Sequence, residues 1–153
     1  MKILVMGLPN TGKTSISNRL QAHLNCGWFN ADTVRGMAND WGFDNEARIR
    51  QARRMRNLAD YEKGCGRTVI CDFVCPTELT RYIFDADFTI WCDIIKESKY
   101  EDTNTIFEPP TNYDIRIEQW TDAKRLYSYL DGGNLGIRDT LGFLKELSKK
   151  LDR

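Results

Sequence analysis

The sequence predicts an α/β fold in which a five-stranded, mainly parallel sheet is flanked by helices on both faces. Short apolar runs alternate with helix-like segments along the 153 residues, which is typical of consecutive βαβ units. The first apolar run leads directly into a glycine-rich turn. The composition, 41% hydrophobic and 29% charged, is that of an ordinary globular protein. We therefore expect one domain over residues 1–153, with right-handed crossovers between its parallel strands.

Five short segments are predicted as strands. The first, KILVM, is continuously apolar, as expected of a strand that is buried on both faces, whereas the last alternates polar and apolar residues. The predicted strands are 2–6, 27–30, 67–74, 87–93 and 113–119.

Helices are predicted between these strands and after the last one. In the first of them, Ile16, Leu20 and Leu24 fall on one helical face. The predicted helices are 13–24, 45–63, 76–84, 121–130 and 136–150. Residues 94–112 show no clear period and contain two prolines. Because loops of that length in compact domains are often lids, we predict a lid there.

The overall charge and the apolar runs limit the classes of function. The chain has 22 basic and 22 acidic residues, which argues against a protein built mainly to coat nucleic acid, although a local basic patch remains open. It has no run of 18 apolar residues and no signal-peptide pattern, so we expect no membrane span. The five cysteines include no CxxC pair, so we expect reduced thiols, a cytoplasmic location and no zinc site.

The segment GLPNTGKT fits the pattern G-x-x-x-x-G-K-[ST]. It follows a predicted strand and opens a predicted helix, which is the context of the phosphate loop in P-loop NTPases. In such loops backbone N–H groups hold phosphate oxygens, so Lys13 is expected at the β- and γ-phosphates and the Thr14 hydroxyl at Mg²⁺. The residues predicted to bind the nucleoside triphosphate are Gly7, Leu8, Pro9, Asn10, Thr11, Gly12, Lys13, Thr14 and Ser15.

A second group of candidate residues follows the second predicted strand. Asp32 is a carboxylate at a strand end, where it could accept a proton from an attacking hydroxyl. Asp32 could instead cap a helix, and Phe43 could be a core residue rather than a stacking surface. Arginines on the next predicted helix share one side and could hold an anionic substrate; they are Arg48, Arg53 and Arg54. Neighbouring arginines are expected at the solvated surface; they are Arg50 and Arg56.

In this order the motifs resemble those of adenylylsulfate kinases, over roughly residues 1–120. That family phosphorylates the ribose 3′-hydroxyl of adenylyl sulfate with ATP and Mg²⁺. After the phosphate loop it carries D-G-D-N-x-R, then G-F followed by D-R-x-x-N-x-R-R, then an I-S-P-like turn and a lid. The corresponding segments here are NADTVR (30–35), GFDNEARIRQARR (42–54), FVCP (73–76) and FEPP (107–110).

The resemblance implies roles for individual residues. Asp32 would act as general base or Mg²⁺ organiser, and Lys13 would stabilise the transferred group. Arg35 and Arg48 would hold the phosphate and sulfate of the substrate. The adenine of the substrate would lie between two aromatic rings, which stack well on bases; the two rings are those of Phe43 and Phe107.

The sequence departs from the family pattern on the acceptor side. Asn30 stands at the first acidic position of D-G-D-N, and Gln51 replaces the asparagine of the next block, where it could still hydrogen-bond the substrate. The lid is short, and its cations are reduced to Lys96 and Lys99.

Asp72 is a further departure, because the apolar strand TVICD ends in a carboxylate, as a Walker B strand does. In that role Asp72 would hold Mg²⁺ or its water together with Thr14 and Asp32, and it would compensate for the charge lost at Asn30. The alternative is a strand-end aspartate that caps the following turn.

Three functions remain open from the sequence. The first is transfer of the γ-phosphoryl of ATP to a hydroxyl, on a small-molecule nucleotide such as adenylyl sulfate. The second is a related kinase acting on another hydroxyl, such as a hydroxymethylpyrimidine in DNA, whose backbone the arginine-rich helix would hold. The third is a non-catalytic nucleotide-binding module. The resemblance also leaves a homodimer open, and position alone places the ATP adenine near residues 133–139.

Overall fold

Five strands and seven helices alternate along residues 1–132 and 139–152, the part of the chain that the computed structural model describes. The strands are β1 (Lys2–Met6), β2 (Gly27–Asn30), β3 (Val69–Asp72), β4 (Phe88–Cys92) and β5 (Ile115–Ile117). The helices are α1 (Lys13–Leu24), α2 (Ala31–Ala38), α3 (Asn45–Gly64), α4 (Glu78–Phe84), α5 (Glu101–Ile106), α6 (Trp120–Asp131) and α7 (Thr140–Leu151).

The strands form one sheet in the order β2-β3-β1-β4-β5, and each of the four pairings is parallel. The predicted five-stranded sheet is therefore confirmed. In the register of the sheet, Asp72 lies opposite Val5 on one side and opposite Asn30 on the other. Because parallel strands all end at the same edge, the segments that follow β1, β2 and β3 meet at this carboxyl edge.

Helices cover both faces of the sheet, as β1 shows most clearly. Its residues alternate between two hydrophobic clusters, with Ile3 and Val5 in one and Leu4 and Met6 in the other. The first cluster is completed by residues of α1, α6 and α7, and the second by residues of α2, α3 and α4. Apolar residues on both sides of every central strand explain the continuous apolar runs in the sequence.

Two helices were not predicted from the sequence. The first is α2, which contains residues with weak helix propensity but begins at a strong N-cap, because the side chain of Asn30 accepts a hydrogen bond from the backbone N–H of Thr33 at 3.1 Å. The second is α5, which lies inside the predicted lid and has one buried residue, Thr103. The segment 94–112 is therefore not a structureless loop, because one and a half helical turns occupy its middle.

Two predicted helices begin later than expected. Helix α4 begins at Glu78 rather than at Pro76, because Thr77 and Thr80 form a capping box. Helix α7 begins at Thr140, where the Asp139 carboxylate accepts from the backbone N–H of Gly142 at 2.6 Å. The adenine site expected at 133–139 lies outside the described residues except for Asp139, which serves as this cap.

The C-terminal end of the lid is fixed to the loop that follows β3. Arg81 donates from Nε to the carbonyl oxygen of Cys75 at 3.1 Å, and its Nη2 donates to the carbonyl oxygens of Pro76 and Glu108. The backbone N–H of Glu108 also donates to the carbonyl oxygen of Pro76, at 2.7 Å. The motifs FVCP and FEPP, distant in sequence, are thus in contact through Arg81.

Among the helices of residues 1–132 and 139–152, none combines the length and the apolar character that a bilayer crossing requires.

Candidate functional site

The loop between β1 and α1 has the backbone of a phosphate-binding loop. Gly7 has φ +146°, and a Cβ built there would lie 2.3 Å from the carbonyl oxygen of Cys92, so only glycine fits beside β4. Asn10 and Gly12 also have positive φ, 63° and 84°. The carbonyl oxygen of Leu8 accepts from the Thr11 hydroxyl at 2.8 Å, which stabilises the turn. The loop is therefore a tight turn that leads directly into the N-terminus of α1.

Lys13 folds back over this loop. Its ammonium group donates to the carbonyl oxygen of Leu8 at 2.8 Å. Burial lowers the pKa of Lys13, and the nearby carboxylates of Asp72 and Asp32 act in the opposite direction. A phosphate group on the loop would bring a further negative charge next to this ammonium group.

Asp72 lies at the centre of a hydrogen-bonded cluster at the carboxyl edge of the sheet. Its carboxylate is buried, with 2% of the residue exposed. It accepts from Nδ2 of Asn30 at 3.1 and 3.3 Å, from Nε1 of Trp28 at 3.3 Å and from the hydroxyl of Thr14 at 3.4 Å. Burial raises the pKa of Asp72, and the donors from Trp28 and Asn30 oppose that shift.

Asn30 performs two functions that an aspartate could not combine at this position. Its Oδ1 caps α2, whereas its Nδ2 donates to both oxygens of Asp72. A carboxylate would keep the cap but would lose the donor and face another carboxylate. The two departures from the family pattern, Asn30 and Asp72, are therefore hydrogen-bonded to each other. Because Asn30 is the cap, the helix-cap alternative for Asp32 is excluded.

A cavity of about 840 Å³ extends from the phosphate loop to the lid. On the loop side it is lined by Lys13 and Thr14, and on the opposite side by Asp32, which is exposed in the first turn of α2. The other lining residues are Pro9, Asn10, Gly12, Ser15, Asn18, Trp28, Asn30, Ala31, Phe43, Arg48, Asp72, Phe73, Val74, Tyr100, Asp102 and Thr103. A cavity of this size holds a ligand as large as a nucleotide.

Phe43 forms one wall of this cavity and is half exposed. The alternative that Phe43 is a core residue is therefore excluded. The guanidinium groups of Arg35 and Arg48 lie 4.6 and 5.5 Å from its ring centroid. Arg48 also donates to the carbonyl oxygen of Phe43 at 2.9 Å. Two cations thus contact the ring that lines the cavity.

Arg48 connects this wall to the lid. Its Nη2 donates to the hydroxyl of Thr103 at 2.8 Å and lies 3.6 Å from a carboxylate oxygen of Asp102. Burial lowers the pKa of Arg48, and Asp102 offsets part of the shift. An anion entering the cavity would therefore compete with Asp102 for Arg48.

Three predicted substrate-binding residues lie outside the cavity. Arg35 is 6% exposed and donates to the carbonyl oxygens of Asp40 and Gly42, and these bonds support the segment that carries Phe43. Gln51 is buried; it donates to the carbonyl oxygen of Ala31 and thereby joins α3 to α2. Phe107 packs against the second core cluster, and Arg81 lies over its ring.

The cavity is lined by Phe43, Trp28 and Phe73 but not by Phe107, and its aromatic residue from the lid is Tyr100. Sequence reasoning missed it because α5 was not predicted. Trp28 was also missed, although strand alternation places it on the same face of β2 as Asn30.

Of the three arginines expected to bind anions, Arg48 lines the cavity, whereas Arg53 and Arg54 do not. Arg53 is exposed. Arg54 donates to Gln51 Oε1 at 2.6 Å and to Asp40 at 2.9 Å, and Arg50 donates to the same Asp40 carboxylate at 2.8 and 2.9 Å. The Asp40 carboxylate thus pairs with two arginines of α3, which leaves fewer of them to hold a DNA backbone on that helix.

The hydrogen bonds from Arg50 and Arg54 hold the pKa of Asp40 well below its usual range. A carboxylate with a depressed folded-state pKa contributes stability above its unfolded pKa of about 4 and loses it as the pH falls. Replacing Asp40 by asparagine should therefore lower the melting temperature at pH 7, with a difference from wild type that shrinks toward pH 3. Thermal unfolding followed by circular dichroism measures this. The control is Glu146→Gln, which removes a single exposed ion pair to Lys149; a pH-independent Asp40 effect would contradict the prediction.

Mg²⁺ prefers oxygen ligands, and the cluster at the carboxyl edge supplies them. The Thr14 hydroxyl and the Asp72 carboxylate approach to 3.4 Å, close enough for one ion to bind both. In the described parts of the chain, no three His, Cys, Asp or Glu side chains are grouped as a metal cage. Mg²⁺ needs only one or two protein ligands when phosphates and water complete its coordination shell. The residues present therefore fit this ion.

A family model described as an AAA domain matches residues 3–121 of the 153. The chain belongs to this AAA domain family. Membership, together with the phosphate loop just described, implies that this AAA domain binds nucleotide.

Two curated relatives match parts of this AAA domain. The bifunctional enzyme NodQ of Rhizobium tropici is 37% identical over 76 residues, and an adenylyl-sulfate kinase of Pseudomonas entomophila (strain L48) is 32% identical over 83 residues. These matches cover 46% and 50% of the chain but only 12% and 40% of the relatives' own lengths.

Two solved structures share the fold of this AAA domain over almost its whole length. The Mycobacterium tuberculosis APS kinase CysC, solved with AMPPNP and APS, superposes with a TM-score of 0.67 at 17% identity, covering 98% of this chain and 94% of that one. A shikimate kinase from Aquifex aeolicus vf5 superposes with a TM-score of 0.58 at 16% identity, covering 90% and 100%. The fold is therefore that of P-loop kinases.

Proposed function

We propose that this protein transfers the γ-phosphoryl group of ATP to a hydroxyl group of a small-molecule nucleotide, with adenylyl sulfate as the first acceptor to test. One observation carries the proposal. A single cavity joins the phosphate loop at Lys13 to an exposed carboxylate, Asp32, and to an aromatic wall, Phe43. In a hydrolase the group that attacks the triphosphate is water, which needs little room. A cavity of about 840 Å³ leaves space for a larger acceptor beside the triphosphate.

The donor half of the mechanism uses the phosphate loop. Backbone N–H groups of residues 7–15 would hold the β- and γ-phosphates, and Lys13 would place its charge between them. Thr14 and Asp72 would hold Mg²⁺, which neutralises phosphate charge when it is bound. Asn30 and Trp28 keep the Asp72 carboxylate in place by donating to it.

The acceptor half uses Asp32, Phe43 and Arg48. The acceptor oxygen attacks the γ-phosphorus, the bond to the β-bridging oxygen breaks, and ADP leaves. The hydroxyl proton passes to Asp32. Phe43 would stack on the acceptor's base, and Arg48 would bind its anionic group in place of Asp102.

Two sequence similarities support adenylyl sulfate. The motif order in residues 30–54 resembles that of the kinases acting on its 3′-hydroxyl, and one curated relative is named an adenylyl-sulfate kinase. The altered lid, in which Asp102 faces the cavity and Phe107 does not, is the reason to test other hydroxyl acceptors beside it.

A transfer assay with γ-labelled ATP and Mg²⁺ tests the proposal. The acceptors are adenylyl sulfate, adenosine, 5′-AMP, a nucleoside set and DNA containing hydroxymethylpyrimidine. Label recovered on adenylyl sulfate supports the specific proposal, and label on another small nucleotide or nucleoside retains the kinase class only. Label on DNA would support the second function instead, a kinase that acts on a hydroxymethylpyrimidine in DNA. Binding of ATP without transfer to any acceptor would leave a non-catalytic nucleotide-binding module.

The variant Asp32→Asn is expected to lower the transfer rate about a hundredfold, because the amide has nearly the same shape but cannot accept the hydroxyl proton. The Kd for ATP should be unchanged, since Asp32 acts on the acceptor side. Steady-state kinetics and ATP titration measure the two quantities. The matched control is Glu97→Gln, an exposed lid carboxylate that does not line the cavity. A variant with wild-type turnover would show that Asp32 is not the base.

A further inference from the structure

The exposed ring of Trp120 lies directly against the phosphate loop. A Cβ built on Gly12 would lie 3.3 Å from Cζ3 and 3.7 Å from Cη2 of this indole. Trp120 is nevertheless 51% exposed. It begins α6 immediately beyond β5, so it stands at the carboxyl edge of the sheet like the loop itself. A large aromatic ring is thus half open to solvent beside the residue that precedes Lys13.

Two further side chains continue this surface. The hydroxyl oxygen of Tyr127, two turns along α6, would lie 3.7 Å from the same Cβ at Gly12. The guanidinium of Arg19 stacks on the Tyr127 ring at 3.9 Å and donates to the hydroxyl of Ser15 at 2.6 Å. Arg19 is held from its other side by Asp131. Trp120, Tyr127 and Arg19, which we call the α6 platform, are therefore connected to both ends of the Gly12–Ser15 segment.

The α6 platform does not line the acceptor cavity. That cavity has its own aromatic residues, which are Trp28, Phe43, Phe73 and Tyr100. If the γ-phosphate of the bound triphosphate faces Asp32, its nucleoside must point away from the acceptor. The nucleoside and the acceptor cannot occupy the same part of the cavity. Outside that cavity, the α6 platform offers an exposed aromatic surface that touches the loop.

We propose that the nucleobase of the bound nucleoside triphosphate stacks on Trp120, with Tyr127 and Arg19 supporting the ring and the adjoining loop. The proposal rests on the nucleotide binding in the proposed function but not on phosphoryl transfer. Stacking tolerates any base because every base has a π-face, so the site takes purine triphosphates with weak discrimination between adenine and guanine.

The test compares ligands with and without a base. Isothermal titration with ATP, GTP and inorganic tripolyphosphate is carried out on wild type, Trp120→Ala, Trp120→Phe and the control Trp41→Ala. Trp41 is similarly exposed, at 53%, but packs near Gly36. We expect Trp120→Ala to weaken ATP and GTP binding about tenfold while tripolyphosphate binding changes less than about twofold. Trp120→Phe should retain most of the affinity, and Trp41→Ala all of it.

Three other binding results would overturn the proposal, and they can be distinguished from one another. An equal loss for ATP and tripolyphosphate in Trp120→Ala would mean that the indole only supports the loop. Unchanged ATP binding would place the base elsewhere. Wild type that binds ATP no more tightly than tripolyphosphate would remove the base site altogether. If the Trp120 dependence holds but no acceptor is phosphorylated, the base site stands and the proposed function fails.

Discussion

Replacing Lys13 by methionine is expected to lower the rate of phosphoryl transfer about a thousandfold. Methionine keeps the length and apolar stem of the side chain but removes the only charge that the loop itself supplies to the transferring group. Because burial lowers the pKa of Lys13, the folded chain tolerates a neutral side chain there, so the melting temperature should not fall. Loss of activity without loss of stability is the expected combination.

Single-turnover transfer from labelled ATP and thermal unfolding of the same samples measure both effects. The matched control is Lys124→Met, an exposed lysine on α6. Activity within tenfold of wild type in Lys13→Met would contradict the charge role of this lysine. A large drop in melting temperature would show instead that its bond to Leu8 maintains the loop.

The parts of the molecule that could be predicted from the sequence are those fixed by local pattern. The run KILVM followed by GLPNTGKT requires a buried strand, a tight loop and a helix, and each was found. The positive φ of Gly7 and Gly12 explains why the motif keeps glycine at these two positions. The resemblance assigned Asp32, Phe43 and Arg48 to the substrate site, and these three residues line the cavity.

The parts that could not be predicted depend on contacts between distant segments. The composition of α5 gives little helical signal, and its position depends on Arg48, more than fifty residues earlier in the chain, which holds Thr103. Arg35 and Gln51 have the right spacing for a substrate site, but spacing does not reveal that backbone carbonyls use their donors. Buried polar groups need hydrogen-bond partners, and only the fold determines which partners Arg35 and Gln51 have.

The contact between Asn30 and Asp72 leads to the second large effect. Asp72→Asn is expected to lower transfer by two to three orders of magnitude, because the carboxylate that would hold Mg²⁺ beside Thr14 is removed. Stability at pH 7 should be equal to or above that of wild type, since burial already disfavours the charged form of Asp72. Transfer measured across a Mg²⁺ titration separates a weaker metal site from a slower step.

Asn30→Asp is expected to act in the opposite sense on stability. The new carboxylate keeps the cap on α2 but replaces the amide that donates to Asp72 at 3.1 Å. Two carboxylates at this distance share one proton, so their combined folded-state pKa rises. A carboxyl group with a raised folded-state pKa destabilises the fold as the pH rises above its unfolded value. The deficit in melting temperature relative to wild type should therefore be larger at pH 7 than at pH 5.

The double variant Asn30→Asp/Asp72→Asn tests whether the two positions form one unit. It exchanges amide and carboxylate across the same contact, restores a donor between them and leaves the net charge unchanged. The Asn30 side chain lies 3.4 Å from the Thr14 hydroxyl, so the exchanged carboxylate remains beside the proposed Mg²⁺ ligand. We expect the melting temperature to recover from that of Asn30→Asp, and transfer to recover at least about tenfold from that of Asp72→Asn. Additive losses would show that the two substitutions are independent and that Asp72 serves the metal from its own position alone.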